Sequence, residues 1–294
     1  MDTATIEENL RRHVQTLAGD IGERNVFRPS ALRAAADYIG SQWRRQGYEV
    51  RPQPYEAKGV ECMNLEVSRV GRVQREDIIL IGAHYDSVLG SPGADDNGSG
   101  VAALLELSRL FAQIEPAISV RFVAFVNEEP PFFARKTMGS LVYAKAARRR
   151  GDRIKLMVSL EMLGCYDNTP DSQKYPPLFR YFYPNRGNFI AFVSNLRSRR
   201  QLLQAVSTFR AHSDFPSEYV AAPAIVPGLA LSDHLSFWRQ RYPAIMITDT
   251  AFYRYRWYHT ALDTPDRLHY QAFAKVTEGL YRAFAGLAEE GLPQ

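Results

Sequence analysis

The sequence predicts an α/β fold: a single domain with a mixed, mostly parallel central sheet and helices on both faces. The prediction depends on short, nearly continuous apolar runs, on helical patterns between and after them, and on 46% apolar residues in a chain of 294. Such runs are typical of strands buried on both faces, and their alternation with helices indicates parallel crossovers. No repeat or linker divides the chain, so we assign all of 1–294 to one domain.

Five apolar runs are the predicted strands, and they occupy 77–84, 119–126, 154–162, 188–193 and 243–248. Helices are predicted over 30–47, 98–113 and 270–290. Ser30 is placed as the N-cap of the first helix, and Gly47 is placed to end it. In a sheet of this kind ligands bind at the carboxyl ends of the strands, so the residues there are the candidates for function.

Composition argues against several classes of partner and location. The formal net charge is only +4, and the basic clusters at 148–150 and 197–200 follow helix-like segments, which indicates solvated helix ends and no nucleic-acid partner. No run approaches the ~20 apolar residues of a membrane span. The N-terminus lacks the basic start and apolar run of a secretory signal, so we expect a cytoplasmic protein with no membrane partner, or a secreted one if a leader has been removed. Cys62 and Cys165 are expected to be buried free thiols.

Imidazole and carboxylate groups follow three of the predicted strands. His84 ends the first, Glu128 and Glu129 follow the second, and Glu161 lies at the end of the third. Further candidates lie in loops, namely Asp86, Asp95, Asp96, Asp233, His234 and His259. Carboxylates gathered at one edge repel each other unless a cation neutralises them. Imidazole and carboxylate ligands suit Zn²⁺ or a similar ion, and a bridging carboxylate suits a pair of ions, so the residues predict a two-metal hydrolase.

The motifs GAHYDS, PGADDNGSG, NEE, SLEM and YHTALDTPD occur in the order and rough spacing of one family. Through them the chain resembles the M28 family of dinuclear zinc aminopeptidases, from about Ala34 to Leu280. The resemblance implies hydrolysis of the N-terminal bond of a peptide, with a peptide or small amide as substrate and two Zn²⁺ per chain. Co²⁺ or Mn²⁺ as the native metal stays open. So does single occupancy, because Glu161 stands where the family commonly has Asp.

The resemblance also implies which residues bind the metals. Asp95 would be the carboxylate that bridges both ions. His84 and Glu161 would complete the ligands of one ion, and Glu129 and His259 those of the other.

Two further residues receive catalytic roles from the resemblance. Glu128 would be the general base that takes a proton from the metal-bridging water, and Tyr258 would stabilise the tetrahedral oxyanion. Asp86 is spaced to accept the second ring N–H of His84 and so fix its tautomer. Asp233 is expected to contact a metal-binding residue and not the metal itself.

Asp96 is expected to serve the backbone of the tight turn. The family pattern implies a cis peptide bond between Asp95 and Asp96, a conformation that is costly for a bond not involving proline.

Two segments interrupt the regular pattern. The stretch PPFFARKTM (130–138) separates the glutamates from Gly139, and the longer segment 165–188 is rich in proline and aromatic residues. Long irregular segments inside a compact domain are usually functional. We expect both to form walls of the substrate pocket, with a structural excursion that buries its rings as the alternative for 165–188.

Three other functions share features with the leading one. A glutaminyl-cyclase-like enzyme with a single zinc has the same fold, but such enzymes typically alter the second aspartate of the ADDNGSG motif. A deacylase acting on N-acyl amino acids would use similar metal chemistry. An inactive binding protein would be expected to have lost a ligand or the base, whereas all are present here.

Overall fold

An eight-stranded mixed sheet forms the centre of the computed structural model, which describes residues 2–290. The strands are β1 (Arg51–Ala57), β2 (Val60–Arg69), β3 (Gln74–His84), β4 (Ile118–Phe125), β5 (Arg153–Glu161), β6 (Ile190–Ser194), β7 (Ser217–Ala221) and β8 (Ala244–Thr248). Their spatial order is β1-β2-β4-β3-β5-β8-β6-β7. The four pairs β3/β4, β3/β5, β5/β8 and β6/β7 are parallel, and the other pairs are antiparallel. The predicted fold class is confirmed.

Helices cover both faces of the sheet. They are α1 (Thr3–Val14), α2 (Pro29–Arg45), α3 (Gly100–Phe111), α4 (Gly139–Arg150), α5 (Arg199–His212), α6 (His234–Arg239) and α7 (Tyr270–Glu290). Because successive side chains of a strand point to opposite faces, β3 contributes to two cores. Ile79 and Ile81 belong to the core that includes residues of α1, α2, α3, α5 and α7, whereas Ile78 and Leu80 belong to the core that includes residues of α4 and α6. None of the helices in the described part of the chain combines the length and apolarity needed to cross a bilayer.

The predicted strands are all present, and three further strands were not predicted. β1 contains Pro52 and Pro54, which donate no hydrogen bond and are tolerated because this strand lies at the edge of the sheet. The Ser30 N-cap was a wrong prediction, since α2 begins one residue earlier at Pro29, whose fixed φ suits a first helical position. Gly47 follows the end of α2 with a φ of 86°, as its predicted role requires. Both cysteines are free and buried, as expected.

The loop after β3 is held by one fully buried arginine. The guanidinium of Arg24 donates hydrogen bonds to the carbonyls of five residues, Leu17, Gly22, Tyr85, Pro92 and Gly93. Its backbone N–H donates to Ser87 Oγ at 3.1 Å, and its carbonyl accepts from Ser87 N at 3.0 Å. Burial lowers the pKa of Arg24 to about 10, so the side chain stays charged at neutral pH. The cation therefore fixes the two ends of the loop that leads to the acidic motif.

Replacing Arg24 with methionine is expected to lower the free energy of unfolding by about 3–5 kcal/mol, because buried carbonyls would lose their donors. Urea unfolding followed by circular dichroism measures this change. Arg33→Met is the matched control, because that side chain is 57% exposed and forms only surface ion pairs, so the shift should stay within about 0.5 kcal/mol. Equal midpoints for the two variants would contradict the role given to Arg24.

Candidate metal centre and active site

Polar side chains from separate parts of the chain meet at the carboxyl edge of the parallel strands. His84 is the last residue of β3, and Glu161 is the last residue of β5. Glu128 and Glu129 follow β4, and His259 lies in the loop that follows β8. These are the positions at which open α/β sheets bind their ligands. The structure thus brings together five of the residues selected from the sequence.

Asp96 lies between the two histidines. Its Oδ1 is 3.5 Å from His84 Nε2, and its Oδ2 is 3.1 Å from His259 Nε2. Each histidine also faces a second carboxylate: Glu161 Oε2 is 3.4 Å from His84 Nε2, and Glu129 Oε2 is 3.2 Å from His259 Nε2. We call His84 with Glu161 one half-site and His259 with Glu129 the other, and the two half-sites share Asp96. The longer side chain of Glu161 reaches its half-site.

Asp95 does not take the place expected of it. Among the described residues its carboxylate forms no ion pair with either histidine, and Oδ1 accepts a hydrogen bond from Gly164 N at 2.8 Å. The cis peptide bond also lies one residue later than expected, between Asp96 and Asn97. The positions predicted for the two aspartates are thus exchanged: Asp96 faces the cluster and Asp95 serves the backbone.

Asp263 fixes the orientation of this pair. Its carboxylate accepts hydrogen bonds from Asp95 N at 2.8 Å and from Asp96 N at 3.1 Å, and a third from the Tyr255 hydroxyl at 2.9 Å. Burial, followed by the charge of Asp95, raises the pKa of Asp263 to about 7. The residue was not selected from the sequence, although it lies in the same motif as His259.

Asp86 holds the two glutamates after β4. Its carboxylate accepts from Glu128 N and from Glu129 N, each at 3.2 Å. The His84 Nδ1 lies 3.2 Å from the backbone carbonyl of Asp86 and 3.6 Å from its Oδ1, which is too far for a hydrogen bond. His84 thus contacts Asp86, but through the main-chain carbonyl and not through the carboxylate that the sequence analysis expected.

The remaining sequence candidates lie around the cluster. The Ser232 hydroxyl donates to Glu161 Oε2 at 2.6 Å, so the residue before Asp233 contacts a cluster carboxylate directly. Burial raises the pKa of Asp233 to about 7 against the opposing influence of His84, which places this carboxyl within electrostatic reach of the cluster. His234 lies outside it, with Nε2 2.7 Å from the Leu229 carbonyl.

Asp95 and Asp249 form a buried pair of acids next to the cluster. Asp249, directly after β8, accepts from Cys165 N and Ala251 N through its two oxygens. Burial and the neighbouring Asp249 raise the pKa of Asp95 well above its usual range. The rule that selected His84 and Glu161, a polar residue at the end of an apolar strand, applies equally to Asp249, which was nevertheless not selected.

Buried negative charge dominates the electrostatics of the cluster. Burial raises the pKa of Glu128 well above its usual range and that of Glu129 to about 8. Burial alone would lower the pKa of His84, but the charges of Glu161 and Glu128 outweigh it and raise that pKa. Asp96 is the exception, because His259 and His84 lower its pKa in spite of burial. Asp96 is thus the carboxylate best stabilised as an anion.

These residues fit a bound metal ion. Nitrogen or oxygen atoms of His84, Asp96 and Glu129 lie within 4.8 Å of one another, and all three residues are buried. Three buried atoms of the cluster, His84 Nε2, His259 Nε2 and Glu129 Oε1, have no hydrogen-bond partner in the described part of the chain. Buried polar atoms are rarely left unpaired, and imidazole with carboxylate is a donor set that divalent ions of the first transition row prefer.

Tyr258 stands at the open side of the cluster. Its ring stacks on His259, with centroids 3.8 Å apart and an angle of 18° between the planes. Burial, followed by the negative charges of Asp96 and Glu129, raises the pKa of the phenol. Tyr258 therefore stays neutral and can donate its hydroxyl proton in a hydrogen bond.

A cavity extends from Glu161 and Tyr258 along the sheet. Tyr175, Phe179 and Tyr183 of the 165–188 segment line it, so the segment predicted to wall a pocket does so.

The prediction that the 130–138 loop lines the pocket is wrong for this cavity. Phe132 of the 130–138 loop is buried in the main core, and Arg135 and Lys136 are exposed. Of the described residues, none from this loop lines the cavity.

Comparison with known proteins agrees with this architecture. The sequence profile of peptidase family M28 matches residues 64–284. The chain is 40% identical over 282 residues to the uncharacterized protein YfbL of Escherichia coli K12, covering 93% of this chain and 86% of that protein. BSAP, a zinc aminopeptidase from Bacillus subtilis, superposes with a TM-score of 0.76 at 14% identity, covering 97% of this chain and 95% of that one.

A glutaminyl cyclase from Bacteroides thetaiotaomicron, bound to N-acetylhistamine, superposes with a TM-score of 0.70 at 17% identity, covering 94% of this chain and 96% of that one. At these identities the two superpositions show a shared fold and nothing more. The profile match confirms the predicted family and the enzyme class predicted with it, a metallo-exopeptidase. With more than half of its length matched by that profile, the chain belongs to peptidase family M28.

Proposed function

We propose that the protein is a zinc-dependent aminopeptidase that removes the N-terminal residue of peptides. The observation that carries the proposal is the position of Asp96, with one oxygen toward His84 and the other toward His259. Two half-sites that share one carboxylate are the arrangement that a dinuclear centre requires. The zinc aminopeptidase of Bacillus subtilis with the same fold supports zinc as the metal.

The proposed ligands follow from the geometry. Asp96, in place of Asp95, would be the carboxylate shared by two ions. His84 and Glu161 would complete the ligands of one ion, and Glu129 and His259 those of the other. The His84 side chain is fully buried whereas that of His259 is 30% exposed, so the second site is the one more open to substrate.

Divalent ions bound here would polarise the scissile carbonyl and make water nucleophilic at neutral pH. The task left to the protein is proton transfer. Glu128 contacts the His84 side of the cluster, with Oε2 3.8 Å from Nε2, and is not needed as a ligand of either half-site. Its raised pKa suits a carboxylate that accepts a proton from the attacking water and holds it until the leaving amine takes it.

Two further groups act on the substrate. The neutral phenol of Tyr258 donates a hydrogen bond to the oxygen that becomes negative when the carbonyl is attacked. The free α-ammonium group of a peptide would lie near carboxylates at the metal edge, which favours exopeptidase over endopeptidase action.

The alternatives make less use of the site. A glutaminyl-cyclase-like enzyme with one zinc would leave one of the two half-sites without a function, although the donors of both are present. An N-acyl amino acid deacylase would use both half-sites, so only its products separate it from a peptidase.

A screen of purified protein separates these functions. Aminoacyl amides, peptides with N-terminal glutamine and N-acyl amino acids are incubated with enzyme of measured metal content. We expect release of N-terminal residues, loss of this activity with 1,10-phenanthroline, and recovery with Zn²⁺. Pyroglutamate formation as the main reaction would contradict the proposal in favour of the cyclase, and release of an acyl group would favour the deacylase.

Asp96→Asn is expected to lose most of the bound metal, because an amide is a weaker bridging ligand than a carboxylate. Asp95→Asn is the matched control: an asparagine there can still accept from Gly164 N and donate to Asp249, so metal content should be retained. Inductively coupled plasma mass spectrometry after gel filtration measures the number of metal ions bound per chain. The reverse outcome would restore Asp95 as the bridging ligand.

Glu128→Gln is expected to keep its metal but to lower kcat by about 10²–10⁴-fold, the usual contribution of a general base. Glu129→Gln, one residue away, should lose metal as well as activity because it removes a ligand. Steady-state kinetics and metal analysis of both variants test the division of roles. A Glu128→Gln enzyme with unchanged kcat would remove Glu128 from the mechanism.

A further inference from the structure

The floor of the cavity is one row of residues across four strands. Glu161 of β5 pairs with Thr248 of β8, Thr248 with Ala191 of β6, and Ala191 with Glu218 of β7. Residues paired across neighbouring strands point to the same face of a sheet, and all four residues line the cavity. The row therefore begins at a residue of the metal centre and ends at a second carboxylate.

The dimensions of this row suit a long side chain. Three strand spacings separate Glu161 from Glu218, which puts their Cα atoms about 14 Å apart. Thr248 and Ala191, between them, are small and leave the space above the floor open. A substrate held by its carbonyl at the metal centre can therefore extend a side chain along the row toward Glu218.

Glu218 has no partner of its own. In the range 2–290 its carboxylate forms no hydrogen bond or ion pair. The nearby Arg210 instead donates through Nε and a terminal nitrogen to the hydroxyl and carbonyl of Ser217. Burial raises the pKa of Glu218 in spite of Arg210, as expected for a half-buried carboxylate that lacks a cation.

Aromatic rings of the 165–188 segment lie beside this carboxylate. Tyr183 stacks with Tyr175 at a centroid distance of 5.8 Å and with Phe179 at 5.9 Å, and all three rings line the cavity. Lysine and arginine bury their aliphatic stems along apolar surfaces while the charged group stays in a polar place. Aromatic faces also attract cations. The aromatic walls of the cavity thus suit the aliphatic part of a lysine or arginine side chain, and Glu218 suits its charged group.

From this geometry we infer that the cavity is a side-chain subsite for lysine or arginine at the N-terminus of the substrate, with Glu218 as the residue that determines the preference. The inference rests on the proposed aminopeptidase function and names its substrate class. A neutral apolar side chain would cover Glu218 without giving it a partner, which is costly for a buried charge. An acidic side chain would be repelled.

Norleucine provides the matched substrate, because it is lysine without the terminal amine. The p-nitroanilides of lysine, arginine, norleucine and glutamate are compared with wild-type enzyme and with Glu218→Gln. We expect the wild type to prefer lysine and arginine over norleucine. In Glu218→Gln the ratio of kcat/KM for lysine to that for norleucine should fall by about 10- to 100-fold, the value of one charge-assisted hydrogen bond, mainly through KM.

Glu56→Gln is the control for net charge. Glu56 is exposed on β1, at the opposite edge of the sheet, and its replacement changes the net charge by the same amount. The lysine to norleucine ratio should be that of the wild type. A wild-type preference for norleucine, or the same ratio in both variants, overturns the role of Glu218.

A binding measurement separates this inference from the proposed function. Calorimetry of free L-lysine, L-arginine and L-norleucine needs no catalysis, and the cationic amino acids should bind more tightly to the wild type than to Glu218→Gln. A protein that binds them in this way but hydrolyses no aminoacyl substrate would refute the peptidase and keep the subsite. Hydrolysis of aminoacyl substrates with no effect of Glu218→Gln on binding or rate would refute the subsite and keep the peptidase.

Discussion

Repulsion between buried carboxylates is the constraint on which the rest of this structure depends. Glu128, Glu129, Glu161 and Asp96 are all buried within one cluster, and their mutual repulsion opposes folding unless positive charge is near. Two histidines supply part of that charge, and a divalent cation supplies it more completely. Rigid strand ends are what keep such groups together, because a flexible loop would let them separate. The sheet is thus the support for an unfavourable concentration of charge.

Backbone clamps complete that support. Arg24 holds the carbonyls of the loop after β3, Asp86 holds the N–H groups of the two glutamates, and Asp263 holds those of Asp95 and Asp96. Each clamp is a side chain that bonds to main chain, so it fixes the path of the chain and leaves the cluster side chains free to face inward. The positions of the cluster residues are therefore fixed both by the strand ends and by these hydrogen bonds to the main chain.

Sequence patterns were sufficient where one strand end determines one position, as for His84 and Glu161. They failed between Asp95 and Asp96, because neighbouring carboxylates have the same chemistry and the choice depends on Asp263, which lies far along the chain. The edge strand β1 was missed because its prolines oppose a strand by local preference, and only its place in the sheet permits them. Composition predicted the cavity wall at 165–188, but it could not show that the aromatic residue Phe132 joins the core.

The row from Glu161 to Glu218 also bears on how substrate choice could change during evolution. Positions along it advance in steps of one strand, about 4.8 Å each. In the proposed subsite, a carboxylate moved from β7 to the position of Ala191 would shorten the length available to a substrate side chain by one such step without altering any loop. Among relatives with this sheet, selectivity for side-chain length could thus change in discrete increments set by the hydrogen-bonded spacing of the backbone.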